Sequence, residues 1–287
     1  MAQQYSDFEL IIVNDCSPED LDEVISIFND QRIHYYKNTT NYGAIDVVDN
    51  WNKCLSLSHG DYVICMGDDD RLMPNCLINY NNHIQNYPGH NIYHIRTEVI
   101  NESGEIIDLQ ESRPLIESSY SMLWHRLAKG RIQFIGDFLF QRNSLIQHGG
   151  FYKLPYACYS DDISAYIAAQ EGGIVNIDTP GFQYRRNSQT ITNTQDFKIV
   201  VTSVQRAIKW MRSFLEDIPT SESDALYRIL SLNLLRNHER DVYNYCFESD
   251  LRNKGRNLMF WWKHRTMYGI SKRHFYNVLL KIVKRRF

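Results

Sequence analysis

Short apolar runs alternate with amphipathic segments along the first third of the chain. The segment FELIIVND (Phe8–Asp15) is almost continuously apolar, which is typical of a strand covered on both faces. In the following SPEDLDEVISIF, Ser17 can cap a helix and Pro18 suits its first position. One face of that helix carries an apolar stripe of Leu21, Val24, Ile25 and Phe28. The pattern predicts a strand, a tight turn and a helix.

The same alternation continues to Tyr87. IHYYK (Ile33–Lys37) predicts a second strand, residues 43–60 repeat apolar positions at helical spacing, YVICM (Tyr62–Met66) predicts a third strand, and residues 74–87 predict a helix. Repeated strand and helix units predict an α/β fold with a parallel, Rossmann-like, doubly wound sheet. Ligands of such sheets bind beyond the carboxyl ends of the strands.

From residue 91 onward the sequence pattern predicts a different organisation. NIYHIRTEVI (Asn91–Ile100) and IIDL (Ile106–Leu109) predict a hairpin, and IQFIGDFLFQR (Ile132–Arg142) predicts a further buried strand. Later in the chain only helical patterns remain, over residues 197–215 and 222–247.

The pattern changes near residue 190, which predicts an α/β domain over 1–190 and a helical extension over 191–287. The charge changes as well, because residues 251–287 contain eleven Lys and Arg residues and no Asp or Glu, whereas 20 basic and 34 acidic residues lie in 1–250. The overall net charge of −3 hides this asymmetry. We expect the two parts to meet different partners.

The tail KRHFYNVLLKIVKRRF (Lys272–Phe287) sets apolar residues at helical spacing among cations. A basic amphipathic helix can lie on an anionic membrane surface. The alternatives are a helix docked on its own domain, and nucleic-acid binding, which no recognised motif supports. The given N-terminal residues show no basic region followed by a long apolar one, no apolar stretch approaches about 18 residues, and no C-x-x-C pair occurs among the six cysteines. We therefore expect a cytoplasmic protein whose tail can reach the inner face of the membrane.

Aspartates follow apolar segments or open a helix at three places. GDDD (Gly67–Asp70) ends the third predicted strand, and adjacent carboxylates beside a core need a cation or full solvent. Their oxygens suit Mg²⁺ or Mn²⁺ bound together with phosphates, and the alternative is a solvated acidic turn. In SDDI, Asp161 and Asp162 either cap a helix or supply a general base. Asp15 either contacts a nucleotide or caps its own loop.

Four segments occur in register and together resemble one known family. They are YSDFELIIVNDCSPED, NYGAIDVVDNWNKCLSLSHGDYVICMGDDDRLMP, GGFY and SDDISAYIAA. Over roughly residues 4–190 the chain is similar to the family-2, inverting, nucleotide-sugar-dependent glycosyltransferases of the GT-A fold. The resemblance implies a GT-A sheet that is mixed and mostly parallel, followed by an α-helical C-terminal extension.

The resemblance also implies which residues bind the donor. Asp15 stands where the family contacts the nucleotide base. Asp68, Asp69 and Asp70 cover the D-x-D region, in which one aspartate faces the ribose and another coordinates Mn²⁺ or Mg²⁺. The register within the three aspartates stays open, so any of them is a candidate metal ligand.

Further roles follow from the same resemblance. Asp162 matches the general base of the family's acidic pair, and Asp161 stands where glutamate is usual. In the segment NYG, Asn41 and Gly43 match a donor-side loop, and Asn52 matches the helix that follows it.

The implied reaction moves a sugar from a nucleotide-diphosphate donor to the hydroxyl of a glycan or lipid-linked acceptor, as in the building of a surface polysaccharide. The cation stabilises charge on the leaving diphosphate, and a carboxylate takes the acceptor proton, so that one displacement inverts the anomeric centre. YRRNSQT (Tyr184–Thr190) can supply further contacts to the diphosphate. A metal-dependent phosphohydrolase is an alternative, because an aspartate cluster can hold the same cations.

Members of the family normally begin with a further strand and helix before the segment that here starts at Gln4. That strand lies centrally in the sheet and its end holds the nucleotide base. We therefore expect its absence to expose an apolar edge and to remove donor contacts. A catalytically inactive nucleotide-sugar-binding remnant, or a partner subunit, is the alternative function.

Overall fold

The chain divides into two compact units, Met1–Thr194 and Gln195–Phe287. The computed structural model describes residues 1–128, 130–187, 196–253 and 257–284, and of residues 252, 253 and 281–284 it describes the backbone alone.

The described part of the first unit contains nine strands and six α-helices. The strands are β1 (Leu10–Asn14), β2 (Ile33–Lys37), β3 (Tyr62–Val63), β4 (Arg71–Leu72), β5 (Ile92–Ile100), β6 (Ile106–Leu109), β7 (Ile116–Glu117), β8 (Phe138–Gln141) and β9 (Ile174–Arg185). The helices are α1 (Leu21–Ser26), α2 (Val47–Leu57), α3 (Cys76–Asn86), α4 (Ser119–Leu127), α5 (Arg142–Gln147) and α6 (Ser160–Ala168).

These strands form two sheets. A two-stranded sheet pairs β1 with β2 in parallel, with Leu10 opposite Ile33. A seven-stranded sheet has the order β3-β8-β5-β9-β4, with β6 added to β5 and β7 added to β9. Parallel pairing joins β5 to β9, and the other pairs of this sheet are antiparallel. The predicted hairpin of residues 91–109 is confirmed, because β5 and β6 pair in antiparallel register.

Two strands are shorter than the sequence predicts. Of the apolar run Tyr62–Met66, only Tyr62 and Val63 pair, with β8. The strand expected over Ile132–Arg142 begins at Phe138, because Ile135–Asp137 form a 3-10 turn. The aspartates between β3 and β4 are nevertheless held in place, since β4 pairs with β9 immediately after Asp70.

The two-stranded sheet leaves apolar side chains only partly covered. In the described part of the chain β1 pairs with β2 alone, and Leu10 to Val13 are half-buried. The stripe predicted for α1 is not a core face, because none of its residues is buried and Phe28 lies beyond its end with 54% exposure.

The core of the first unit lies between β5, β9 and α3. Tyr93 and Ile95 on β5 pack with Val175 and Phe182 on β9, and Tyr80 on α3 joins them. The Tyr80 hydroxyl donates a hydrogen bond to the carbonyl oxygen of Asp137 at 2.9 Å, so that its polar end is satisfied inside the core. This packing holds the carboxyl-terminal half of β9 against β4.

The second unit contains helices in its described residues. They are α7 (Phe197–Phe214), α8 (Glu222–Asn253), α9 (Leu258–His264) and α10 (Lys272–Lys284). Trp261 on α9 is fully buried and donates its indole N–H to the Asp250 carboxylate at 2.9 Å. Within the described residues, no helix combines the length and the apolar character needed to cross a bilayer.

The apolar stripe of α10 is docked inside the second unit. Phe275 and Val278 are buried, and the Phe275 ring stacks on that of Phe247 with centroids 5.0 Å apart. The docked-helix alternative therefore holds for these two side chains. The opposite face of the helix exposes Tyr276 and Leu280, which are 54% and 57% accessible.

Gly136 allows a close approach in the core of the first unit, and replacing it with alanine should destabilise that unit. A Cβ atom at this position would lie 2.3 Å from Cζ of the fully buried Phe182 ring. We expect Gly136→Ala to lower the free energy of unfolding by about 1–3 kcal/mol, as measured by urea denaturation. Gly130→Ala is the control, because the nearest atom to its Cβ would be the His125 carbonyl oxygen at 3.8 Å. Equal stability of the two variants would contradict the prediction.

Candidate functional site

Asp15 organises the loop that follows β2. Its carboxylate accepts hydrogen bonds from the backbone N–H groups of Tyr42 at 3.0 Å and Gly43 at 3.2 Å, and from Nδ2 of Asn38 at 2.8 Å. Nδ2 of Asn41 donates to the Asp15 carbonyl oxygen at 2.5 Å. The structure thus brings Asp15, Asn41 and Gly43 together at the carboxyl end of β1, where the sequence expects the nucleoside.

Asn52 lies apart from this group and joins α2 to the GGFY segment. Its Oδ1 accepts from the Phe151 backbone N–H at 2.8 Å, and its Nδ2 donates to the Phe151 carbonyl oxygen at 3.2 Å. Gly150 has a φ of +84°, and a Cβ there would lie 2.3 Å from Asn52 Oδ1. The Asn52 amide is therefore engaged in fixing the backbone. The α2 amide nearer to Asp15 is that of Asn50. Its Oδ1 accepts a hydrogen bond at 3.0 Å from Asn38 Nδ2, the same atom that donates to the Asp15 carboxylate.

The aspartates after β3 form a tight turn around Gly67. Oδ2 of Asp69 accepts from Asn187 Nδ2 at 2.7 Å, and Oδ1 of Asp70 accepts from the Arg185 backbone N–H at 2.9 Å. The second oxygens of both carboxylates face Gly67, because a Cβ there would lie 2.9 Å from Asp69 Oδ1 and 3.3 Å from Asp70 Oδ2. A side chain at position 67 would intrude on both oxygens.

The environments of the three aspartates differ. Burial raises the pKa of Asp70 to about 7, against the opposing effect of the Arg185 backbone N–H, and the charges of Asp69 and Asp68 add to the rise. Asp68 is exposed. A buried carboxylate of this kind becomes more stable as an anion when a cation lies beside it.

Asp69 and Asp70 fit a divalent cation of the Mg²⁺ type. Among the described residues, no three or more His, Cys, Asp or Glu side chains are arranged to hold a metal ion. Mg²⁺, however, usually takes only one or two carboxylates and completes its shell with waters and substrate phosphates. The two carboxylate oxygens that face Gly67 meet that smaller requirement.

Arg185, at the end of β9, fixes the aspartate turn from the other side. Its Nε donates to the Asp69 carbonyl oxygen at 2.9 Å, and its Nη1 donates to the carbonyl oxygens of Asn101 and Glu102 at 3.0 and 3.1 Å. This guanidinium is engaged with backbone, whereas Arg186 is exposed. Of the segment predicted to contact the diphosphate, residues 188–190 lie outside the described residues.

The acidic pair opens α6, and its two members have unequal surroundings. Asp162 is 1% exposed, accepts from Arg126 Nε at 3.1 and 3.2 Å, and accepts from Gln133 Nε2 at 2.5 Å. The Asp162 carboxylate raises the pKa of the Arg126 guanidinium. Asp161 is partly exposed, and its pKa is raised first by desolvation and then by the charge of Asp162, while Arg126 acts in the opposite direction.

Charges from both acidic groups act on Tyr184. Its ring stacks on Phe134 with centroids 3.8 Å apart and an interplanar angle of 11°. Its pKa is raised by burial and then by the charges of Asp70, Asp69 and Asp161. Both acidic groups therefore lie within electrostatic reach of one tyrosine ring.

Sequence reasoning missed Arg126, Gln133 and Asn50. Arg126 and Gln133 belong to no motif, and they meet Asp162 only because α4 and the segment before β8 fold against α6. Asn50 lies two residues from the predicted Asn52, and only the structure shows that it is the amide nearer to Asp15.

Comparison with known proteins agrees with this architecture. Residues 1–154 match the family model described as Glycosyl transferase family 2. A curated relative, "Putative colanic acid biosynthesis glycosyl transferase WcaA" of Escherichia coli (strain K12), is 35% identical over 121 residues, which is 42% of this chain and 42% of the relative. The chain thus spans less than half the length of that relative in the matched region.

Solved structures of S. aureus TarS share the fold. TarS 1-349 in complex with UDP-GlcNAc has a TM-score of 0.62 at 14% identity, over 88% of this chain and 69% of that one. The same protein in complex with UDP has a TM-score of 0.57 at 12% identity, over 99% of this chain and 84% of that one. These likenesses confirm the predicted α/β, GT-A-like fold class, with a mixed sheet in which the parallel pairs of the described residues are β1 with β2 and β5 with β9. Because the family model matches more than half of its residues, the chain belongs to glycosyl transferase family 2.

Proposed function

We propose that the chain transfers a sugar from a nucleotide-diphosphate donor to an acceptor hydroxyl by a metal-assisted, inverting displacement. The observation that carries the proposal is that Asp69 and Asp70 on one side, and Asp161 at the start of α6 on the other, act electrostatically on the same Tyr184 side chain. One group can serve the leaving diphosphate and the other the incoming hydroxyl. The family membership supports the same reaction class.

The donor would bind along the carboxyl ends of β1 and β3. The loop held by Asp15 and Asn41 would receive the nucleoside end. Asp69 and Asp70 would hold Mn²⁺ or Mg²⁺ through the oxygens that face Gly67, and Asp68 is the exposed neighbour available to the ribose. When bound, the cation would supply Lewis-acid stabilisation of charge on the diphosphate.

The acidic pair would serve the acceptor. The acceptor oxygen forms a bond to the anomeric carbon, the bond from that carbon to the diphosphate breaks, and the nucleoside diphosphate leaves with the electron pair. The acceptor proton passes to a carboxylate of the pair. A single displacement of this kind inverts the anomeric centre. The acceptor class we propose is a glycan or lipid-linked hydroxyl of a growing surface polysaccharide.

Metal-coupled donor binding tests the proposal. We expect UDP or GDP to bind the full chain more than about tenfold more tightly with Mn²⁺ than with EDTA, in calorimetric titrations. Asp69→Ala should remove this metal dependence, because it deletes one of the two oxygens that face Gly67. Asp108→Ala, at an exposed position on β6, is the control and should keep the dependence.

Three outcomes separate the alternatives. Release of the nucleoside diphosphate from a panel of UDP- and GDP-sugars, with inverted product, supports transfer. Metal-dependent nucleotide binding without any release supports the inactive binding module or partner subunit. Cleavage of the phosphoanhydride bond in place of the glycosidic bond supports the phosphohydrolase.

We further propose that the second unit rests on the anionic, cytoplasmic face of a membrane. The buried Phe275 and Val278 leave an outward face of α10 with Lys272, Arg273 and the exposed Tyr276. Trp262 lies beside this face, since its ring centroid is 5.7 Å from that of Tyr276. Aromatic rings among cations suit the headgroup region of an anionic bilayer.

Charge removal on α10 tests this surface. Lys272→Gln with Arg273→Gln should weaken sedimentation with vesicles containing phosphatidylserine about 30-fold at low salt, since each nearby cation contributes about 1 kcal/mol. Arg206→Gln with Lys209→Gln is the control, because it removes the same charge from exposed positions on α7. An equal loss in the two double variants would contradict a specific surface.

A further inference from the structure

One face of α8, in the second unit, exposes three apolar side chains close together. Leu226, Ile229 and Leu232 are 57%, 52% and 39% accessible. Ile229 is the central one, because Leu226 precedes it by three residues and Leu232 follows it by three. Side chains three positions apart on a helix are neighbours on its surface. The three residues therefore form one apolar patch, which we call the Ile229 patch.

Opposite charges flank the Ile229 patch along the helix. Glu222 lies seven residues before Ile229, Arg236 lies seven residues after it, and both are exposed. Seven residues are close to two full helical turns, so both charges lie on the same side of α8 as Ile229. Within the described part of the chain neither of them forms an ion pair, although Arg212 on α7 pairs with Glu239 nearby. The face thus has an acidic end, an apolar centre and a basic end.

A hollow lies beside the basic end of this face. Its volume is about 380 Å³, and it is lined by Arg212, Leu232, Asn233, Leu235 and Arg236. Two leucines together with two guanidinium groups suit an apolar side chain that is accompanied by a carboxylate. Glu222 and Leu226, one turn apart at the other end of the same face, have this chemistry. The two ends of the face are therefore complementary to each other.

We propose that this face of α8 binds a second copy of the chain, with the two α8 helices antiparallel about a two-fold axis beside Ile229. Such an axis sets residues that are equally far before and after Ile229 opposite each other. Glu222 of each copy then meets Arg236 of the other, and Leu226 lies at the level of Leu232 and the hollow. A parallel pair would set like charges together at both ends, which opposes association.

The size of the Ile229 patch predicts a weak, reversible dimer. Three partly exposed side chains and two charges from each copy make an interface smaller than the standard area of about 1,600 Å². We therefore expect a dimer whose Kd is on the order of 10 µM and whose stability depends on the ion pairs at its ends. Because α10 packs on α8 at Phe247, beyond the paired stretch, the dimer leaves that packing in place.

Sedimentation velocity of the full chain between about 1 µM and 1 mM tests the pairing. The wild type should pass from monomer to dimer over this range. Ile229→Asp should weaken association by at least about 30-fold, because it sets two carboxylates in the apolar centre of the interface. Met259→Asp is the control, since it adds the same charge on α9 at a position that is 83% exposed and lies outside the Ile229 patch. A wild type that stays monomeric throughout would overturn the proposal.

Charge exchange tests the antiparallel orientation. Glu222→Arg and Arg236→Glu should each weaken the dimer by about tenfold or more, because each sets like charges together at both ends. The double variant that combines the two changes should recover the wild-type Kd, since opposite charges face each other again. An equimolar mixture of the two single variants should also associate, although each alone is weakened. A folding defect cannot produce this recovery.

Two other outcomes would overturn the inference. Single variants that dimerise as tightly as the wild type would show that another surface mediates the association. Weakened single variants that recover neither in the double variant nor in the mixture would exclude the antiparallel pairing, once circular dichroism shows that they are folded. These measurements use no nucleotide and no sugar. The proposed glycosyl transfer and the proposed dimer can therefore fail independently of each other.

Discussion

A carboxylate that leaves water must be met by donors or by a cation, and this constraint shapes the whole first unit. Asp15 is met by the backbone of the loop after β2, Asp70 by the backbone N–H of Arg185, and Asp162 by Arg126 and Gln133. Each of these hydrogen bonds joins the carboxylate to a segment distant in sequence. The same contacts that compensate the buried charges therefore also hold the segments of the fold together. The Gly67 backbone N–H also donates to the Asp70 carboxylate, and a divalent cation beside Asp69 and Asp70 would complete the compensation of their charges.

The parts of this arrangement that could be predicted from sequence are those encoded locally. Asp15, Asn41 and Gly43 belong to short motifs at strand ends, and parallel pairing of β1 with β2 brings those ends together. The hairpin of β5 and β6 could also be predicted, because a turn separates two apolar runs. The partners of Asp162 could not be predicted, since Arg126 and Gln133 lie 36 and 29 residues away and belong to no sequence pattern that links them to α6.

Amphipathic patterns predicted the packing less well, because an apolar helix face does not reveal which other surface covers it. None of the residues of the α1 stripe is fully buried, whereas the stripe of α10 is docked against Phe247. Asn52 shows the same limit for a polar residue. Its place in a donor-side motif suggested a ligand contact, yet its amide is taken up by the Phe151 backbone, which a close approach to Gly150 permits.

The proposed donor site draws on two sheets, and the stability of the smaller one bears on function. A two-stranded sheet is marginally stable by itself, so β1 needs support from outside its pairing with β2.

Glu9, just before β1, accepts from the backbone N–H groups of His59 and Gly60, which precede β3. Gln3 donates to the Met73 carbonyl oxygen beyond β4. These contacts tie the segment before β1 to both ends of the aspartate region. The distance from Asp15 to Asp69 therefore depends on these separate hydrogen bonds and not on continuous strand pairing. Opening of the smaller sheet would disturb the proposed nucleoside site before it disturbed the acidic pair.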